Sequence, residues 1–312
     1  MSKIIVILNP VSGSSGEDFR NTVEESLKSR AADYELRLTT PDIGADKLAA
    51  QAVQEGATHI ITCGGDGTVM STVNGLGKWE DSTSDPETDP EVTLSIIPGG
   101  TANLLAAALK IPTDTDEAVG VALAGEDRII DLGRCGKHLF ALGLGLGLTE
   151  RLVSQASAKQ KETLGKAAYA IAMLREMGAR PHQFRFRLDN GRYRRAYGVA
   201  IVIANAGEMG SGLQFAPDAK MDDGKIDLCI LRRFYFRDML RMIGRLILRK
   251  LPEDRGVAFH QAKRVEIRSD PPLDLQIDGE IVDQTTPLVA EVLPRALKVR
   301  VPQAVEEQTK NL

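Results

Sequence analysis

A carboxylate set among glycines, Gly64-Gly65-Asp66-Gly67-Thr68, is the stretch of this chain best equipped for chemistry. It follows the apolar run His59–Cys63 and precedes the helix-like Val69–Val73, so a strand delivers a glycine turn that opens a helix. Glycines there permit positive φ and let backbone N–H groups approach a phosphate, while the helix N-terminus adds partial positive charge. Asp66 finds a use among phosphates through a divalent cation that also touches a nucleotide. The same residues also suit a plain strand-to-helix connection.

Three further segments add to this one. The strand Lys3–Leu8 runs into Asn9-Pro10-Val11-Ser12-Gly13, a second small-residue turn ahead of a helix. The apolar run Val92–Ile97 leads to Pro98-Gly99-Gly100-Thr101-Ala102-Asn103 and a helical Leu104–Leu109. Three strand-to-helix turns of this kind can converge on one edge of a parallel sheet. Late in the chain, Gln276-Ile277-Asp278-Gly279-Glu280 carries two carboxylates in one turn.

NPVSG, GGDGT, PGGTAN and the late DGE, in this order, resemble the diacylglycerol kinase catalytic domain, whose superfamily includes bacterial lipid kinases and sphingosine kinases. The resemblance extends from Lys3 to about Pro302 and does not identify the lipid. It implies ATP and Mg²⁺ as cofactors. Asn9, Pro10, Val11, Ser12, Gly13 and Thr40 would hold the nucleotide. Gly65, Asp66, Gly67, Thr68, Val69, Met70 and Ser71 would cradle its phosphates, joined by Thr101 and Asn103, and Asp66 would reach the catalytic Mg²⁺. Thr40, Thr101 and Asn103 can equally serve as capping residues.

For the base that takes the acceptor hydroxyl's proton, the resemblance points to Glu280, with Asp278 beside it and Asp131 as a supporting acid. Asp278-Gly279 is also good type I′ hairpin chemistry. In the segment from Ala216 to Asp227, the resemblance implies a structural Mg²⁺ held by the Asp223 carboxylate and the Lys220 and Lys225 carbonyls. A plain Asp-Asp-Gly hairpin is compatible with that assignment.

These residues require elements to position them. The first ~130 residues alternate strands and helices: Lys3–Leu8, Glu17–Ala31, Tyr34–Leu38, Gly44–Gln54, His59–Cys63. That alternation predicts an α/β domain with a parallel sheet. From Asp131 the runs become short and β-rich, at Ile129–Leu132, Leu139–Leu144, Phe184–Leu188, Tyr197–Ile203, Ile226–Leu231, Arg264–Arg268, Leu273–Ile277 and Leu297–Val301. A mainly antiparallel β domain follows. The expected division is 1–130 for nucleotide, 131–302 for lipid substrate, and a tail over 303–312, with the nucleotide between the domains as in the family. Trp79–Glu91 holds six acids and no base and reads as a solvated loop.

Composition sets bounds on function. At 312 residues two domains are the default. A formal net charge of −4 gives no bulk attraction to nucleic acid or to an anionic membrane. Three scattered cysteines, Cys63, Cys135 and Cys229, suit a reducing cytoplasm. The short N-terminal apolar run is no signal segment, and no run of ~20 apolar residues spans a bilayer. Gly143-Leu144-Gly145-Leu146-Gly147 lacks dinucleotide-motif spacing and reads as a strand thinned for close packing.

Arg237, Arg241, Arg245 and Arg249 recur every four residues among Met, Leu and Ile. A basic amphipathic helix of this kind can lie reversibly on a bilayer surface, or pack on the β domain with its arginines solvated. The lipid would then be met at the membrane by a cytoplasmic, peripherally associating protein. Oligomeric state is unread, a homodimer being compatible. Diacylglycerol to phosphatidic acid is the expected reaction. Sphingoid bases, phosphatidylglycerol or NAD remain as other acceptors, and a non-catalytic nucleotide-binding regulator remains as another class.

Overall fold

The computed structural model describes residues 3–12, 16–77, 90–147, 180–207, 216, 218–232 and 256–303. Gly13, the arginine-rich stretch at 237–250, most of the acidic loop and the tail beyond 303 lie outside the described residues. The chain divides into two compact units. One runs to Ile129 and takes back the chain from Leu297 onward; the other comprises Ile130–Ala296. A single cut giving 131–302 to the second domain is corrected at its far end, because the chain from Leu297 falls in the first unit, where Lys298 and Val299 pair with Thr93 and Leu94.

In the first unit, β1 (Ile4–Leu8), β2 (Tyr34–Leu38), β3 (His59–Gly64) and β4 (Thr93–Pro98) form a parallel sheet in the order β2-β1-β3-β4. Lys298 and Val299 of β16 (Leu288–Val301) extend it beside Thr93 and Leu94. Strands β3 and β4 are buried along their whole length, which is why they read as unbroken apolar runs. Helices α1 (Gly16–Ser29), α2 (Ala45–Gln54), α3 (Asp66–Leu76), α4 (Leu104–Ala108) and α5 (Thr115–Ala124) connect the strands. Register places Leu8 opposite Cys63 and Leu38 opposite Leu8, and Gly64 opposite Pro98. The turns that follow β1, β2, β3 and β4 therefore leave the same edge of the sheet, as the α/β pattern requires.

The second unit is a β-sandwich. One sheet runs β12 (Val257–Ala262), β11 (Ile226–Leu231), β10 (Ala200–Ala204), β7 (Gly143–Gly147), β14 (Asp274–Ile277), β15 (Glu280–Thr285), all antiparallel. In the other, the first half of β16 pairs with β13 (Arg264–Ser269), followed by β8 (His182–Leu188) and β9 (Arg194–Gly198). Leu144, Leu146, Ile201, Ile203, Leu228 and Ile230 meet Phe184, Phe186, Val265 and Ile267 in the core between them. Two expected strands are each two: Leu139–Leu144 splits into β6 (His138–Phe140) and β7, and Tyr197–Ile203 into β9 and β10. Val199 breaks the second run because its N–H donates to Leu231 O rather than to a β9 partner. No helix among the described residues is long and apolar enough to cross a membrane.

Candidate functional site

In the first unit a cavity of about 600 Å³ lies over the sheet edge, lined by Asn9–Ser12, Thr39–Pro41, Gly44, Ala45, Gly65, Gly67, Thr68 and Ser71. Its walls are the turns after β1, β2 and β3, with the opening residues of α3 at its base. The side chains around it hold one another in place. Asn9 Nδ2 donates to Thr68 Oγ1 (3.1 Å), and its Oδ1 accepts from Val11 N–H (3.2 Å). The Ser12 N–H donates to Asn9 O (3.1 Å), closing the turn. Thr40 Oγ1 accepts from Ile43 N–H (3.1 Å), so it closes its own turn and lines the cavity as well. Ser71 Oγ accepts from Asp46 N–H (3.0 Å) in the first turn of α2.

The glycines of the two phosphate-type turns do not use the positive φ expected of them. Gly65 begins α3 with φ −84° and ψ −177°, and none of Gly64, Gly65, Gly67, Gly99 and Gly100 has positive φ. Close approach requires them instead. A Cβ on Gly100 would fall 2.6 Å from Gly65 Cα, and one on Gly99 would fall 2.7 Å from the Phe19 ring and 3.3 Å from Gly64 Cα. The turns after β3 and β4 therefore lie backbone against backbone.

Asp66 ties them further. Its Oδ1 accepts from Leu104 N–H (2.5 Å) at the start of α4. Burial pushes its carboxyl up from the usual range, opposed by backbone N–H groups of Leu104, Leu105 and Asn103. Asn103, with φ +48°, does not cap α4; its Oδ1 accepts from Gly100 N–H (2.8 Å) and its Nδ2 donates to Gly100 O (2.7 Å). Thr101 is exposed, and neither it nor Asn103 lines the cavity. Val69 also stands apart: its side chain is in the core and its N–H donates to Gly65 O (3.0 Å). Met70 is half-buried and off the cavity wall.

In the second unit, Asp278 and Gly279 take φ +45° and +88°, the left-handed pair of a two-residue hairpin, with Ile277 opposite Glu280. The Asp278 carboxylate is a staple. Its Oδ2 accepts from Ala141 N–H (2.7 Å), and its Oδ1 from Leu142 (3.0 Å) and Gly143 (2.9 Å). Glu280, the next side chain, is exposed, and its carboxylate has no partner among the described residues. One acid fixes the hairpin and the other is free at its end.

Asp131 is buried, with Oδ1 accepting from Arg295 N–H (2.8 Å) and Oδ2 from Gly224 N–H (2.7 Å). Its carboxylate therefore anchors two turns, and its tie to Asp278 runs through a residue with no sequence motif, Asn205. Asn205 Nδ2 donates to Asp131 O (2.9 Å) and to Ala141 O (2.8 Å), while its buried Oδ1 has no partner among the described residues. Only its place after the apolar Ala200–Ala204 strand could have marked it.

The turn before β11 concentrates acids. Burial raises the Asp131 carboxyl, backbone donors from Arg295 and Gly224 oppose this, and Asp223 and Asp222 push it up further. Asp227 is raised chiefly by burial, with Gln261 and Lys225 opposing and Asp223 and Asp218 reinforcing. Asp223 itself accepts from Lys225 N–H (3.0 Å) and Gln261 Nε2 (3.0 Å). No group of three His, Cys, Asp or Glu side chains converges as a metal cage among the described residues. An oxygen-rich turn with mutually repelling carboxylates nonetheless fits a hard cation held by one carboxylate and backbone carbonyls.

Comparison with known proteins agrees with this geometry. Residues 3–135 match the model of the diacylglycerol kinase catalytic domain, and residues 146–301 match the YegS C-terminal NAD kinase beta sandwich-like domain. The chain belongs to the diacylglycerol kinase catalytic domain family. Among curated members of this lipid kinase family, a protein of Chromohalobacter salexigens described as a probable lipid kinase YegS-like is 34% identical, over 80% of this chain and 79% of its own. The diacylglycerol kinase of Bacillus subtilis is 29% identical over 90% of each chain. A diacylglycerol kinase crystal structure from Bacillus anthracis shares the fold with a TM-score of 0.77 at 23% identity, covering 96% of this chain and 97% of that one. The protein is thus a member of an ATP-dependent kinase family with an α/β domain and a β-sandwich domain.

Proposed function

We propose that the protein transfers the γ-phosphoryl group of ATP to a lipid hydroxyl, with diacylglycerol as the acceptor and phosphatidic acid as the product. The observation that carries this reading is the free Glu280 carboxylate at the end of a hairpin stapled by three N–H bonds to Asp278. The name of the Bacillus subtilis relative supports the acceptor. Backbone N–H groups at the start of α3 receive the phosphates, and the Asn9–Ser12 turn receives the rest of the nucleotide. Glu280 takes the proton from the acceptor hydroxyl as its oxygen bonds to the γ-phosphorus and the bond to ADP breaks. Mg²⁺ would supply charge neutralisation at the phosphates, with Asp66 as its contact, and a second, structural ion would use Asp223 with the Lys220 and Lys225 carbonyls. On this reading the protein works in the cytoplasm and visits the bilayer surface reversibly.

The test incubates the protein with γ-labelled ATP, Mg²⁺ and dispersed diacylglycerol, phosphatidylglycerol and sphingosine, beside NAD and fructose 6-phosphate. Label on diacylglycerol that falls ~10²–10⁴-fold with Glu280→Gln, while ATP binding persists, is the expected result. Label only on NAD or sugar, or full turnover by Glu280→Gln, overturns it.

A further inference from the structure

A second cavity, of about 650 Å³, opens at the mouth of the β-sandwich in the second unit. Its floor is apolar, made by Phe186 and Ile230, and its rim carries Arg194, Arg195 and Arg232 with His260 between. The His260 ring lies 5.4 Å from the Phe186 ring, so the imidazole joins rim to floor. Arg194 and Arg232 also both act on His260, which burial and these two cations hold below its ordinary value.

This mouth lies away from the acids described above. Strand β11 leads from Asp227, beside Asp223, to Arg232, and five steps of ~3.4 Å separate the two ends by ~17 Å. Charge is handled differently at the two ends. Arg187 is paired with Glu266, and Arg134 and Arg264 with Glu291. Arg194, Arg195 and Arg232 are exposed and have no carboxylate partner among the described residues. In a chain of net charge −4, three unpaired guanidinium groups around one concavity are a local concentration rather than a bulk property.

Guanidinium forks match the oxygens of a phosphate, and several of them on one anion favour phosphate over a single carboxylate. A site for a free ion has no need of an apolar floor. We propose that this mouth binds the phosphate group of an anionic amphiphile, with the arginines on the phosphate oxygens and the Phe186–Ile230 floor against the first methylenes of its tail. Binding here is separate from phosphoryl transfer and does not depend on the proposed reaction.

The experiment titrates the full chain, without ATP, with dihexanoyl phosphatidic acid below its micelle concentration, and in parallel with glycerol 3-phosphate and inorganic phosphate. Expected is saturable binding of the lipid, at least ~10-fold tighter than either soluble phosphate, and weakened at least ~10-fold by Arg194→Gln combined with Arg232→Gln. Absence of lipid binding overturns the proposal, as does lipid binding untouched by the double substitution, which would place the lipid elsewhere. Equal binding of glycerol 3-phosphate or inorganic phosphate would make the ligand a free phosphate and overturn the amphiphile. Circular dichroism of the double variant, whose altered side chains are exposed, distinguishes lost contacts from lost fold.

Discussion

Replacing Gly100 by alanine tests the contact between the two glycine turns. The new Cβ would lie 2.6 Å from Gly65 Cα and 3.0 Å from Asn103 Oδ1. Carbon atoms settle at ~3.5–4.0 Å, so the turns must part by about 1 Å. Overpacking of this kind costs ~1–3 kcal/mol. The backbone at Gly100 does not need positive φ, so in open space alanine would instead stabilise by ~0.4–1 kcal/mol through the unfolded chain. The sign therefore decides the matter. Gly120 provides the open-space control, since a Cβ there meets only Arg30 Nη2 at 3.8 Å within helix α5, and Gly120→Ala should stabilise by ~1 kcal/mol. Urea unfolding measures both. Because a 1 Å displacement at a reacting centre costs ~10²-fold in rate, phosphotransfer by Gly100→Ala should fall by about that factor. A Gly100→Ala chain as stable as the parent, with unchanged ATP affinity and turnover, would refute the close-approach account.

Two further outcomes follow from buried polar groups. Burial pushes the His59 imidazole down to about 4, with Arg300 adding to the shift and Asp127 opposing it. The unfolded chain then takes up the proton first as pH falls through ~6.5. Stability should be full above ~6.5, decline by up to ~3 kcal/mol toward pH 4, and change no further from this group below that; His59→Gln should flatten the decline in urea unfolding measured from pH 7 to 4. Asn205→Ala removes the donor shared by Asp131 O and Ala141 O and should cost about 3 kcal/mol in unfolding free energy, a loss below 1 kcal/mol showing that those carbonyls find other donors.

The first unit was largely legible because its strands are apolar and end in glycine turns: β2 and the start of β3 fall where periodicity places them. In the second unit β11 was equally plain, since all but its last residue are buried. Strand β15 was not, because Glu280–Thr285 lies at a sheet edge and is mostly exposed, leaving no apolar run to read. Only the last five residues of β16 were visible, because Pro294 and Arg295, the latter at φ +52°, interrupt a strand that register shows to start at Leu288. At the site, glycine types were readable but their reason was not: a close approach between Gly65 and Gly100, 35 positions apart, leaves no local trace. Asn205 was invisible for the same reason, since its partners Asp131 and Ala141 are distant in sequence.

Strand β16 gives its first half to the sandwich and Lys298 and Val299 to the edge of the parallel sheet at β4. Around that junction Arg300 Nε donates to Asp127 Oδ1 (2.7 Å) and Gln303 Nε2 to Ala124 O (3.1 Å). During synthesis, the first unit therefore emerges from the ribosome with one side of its sheet still open. Strand β4, entirely buried in the finished molecule, is an uncapped apolar edge until almost the whole chain has been made. A fragment cut before Leu297 keeps that open edge permanently, so it should self-associate although every residue lining the cavity over its sheet edge is present.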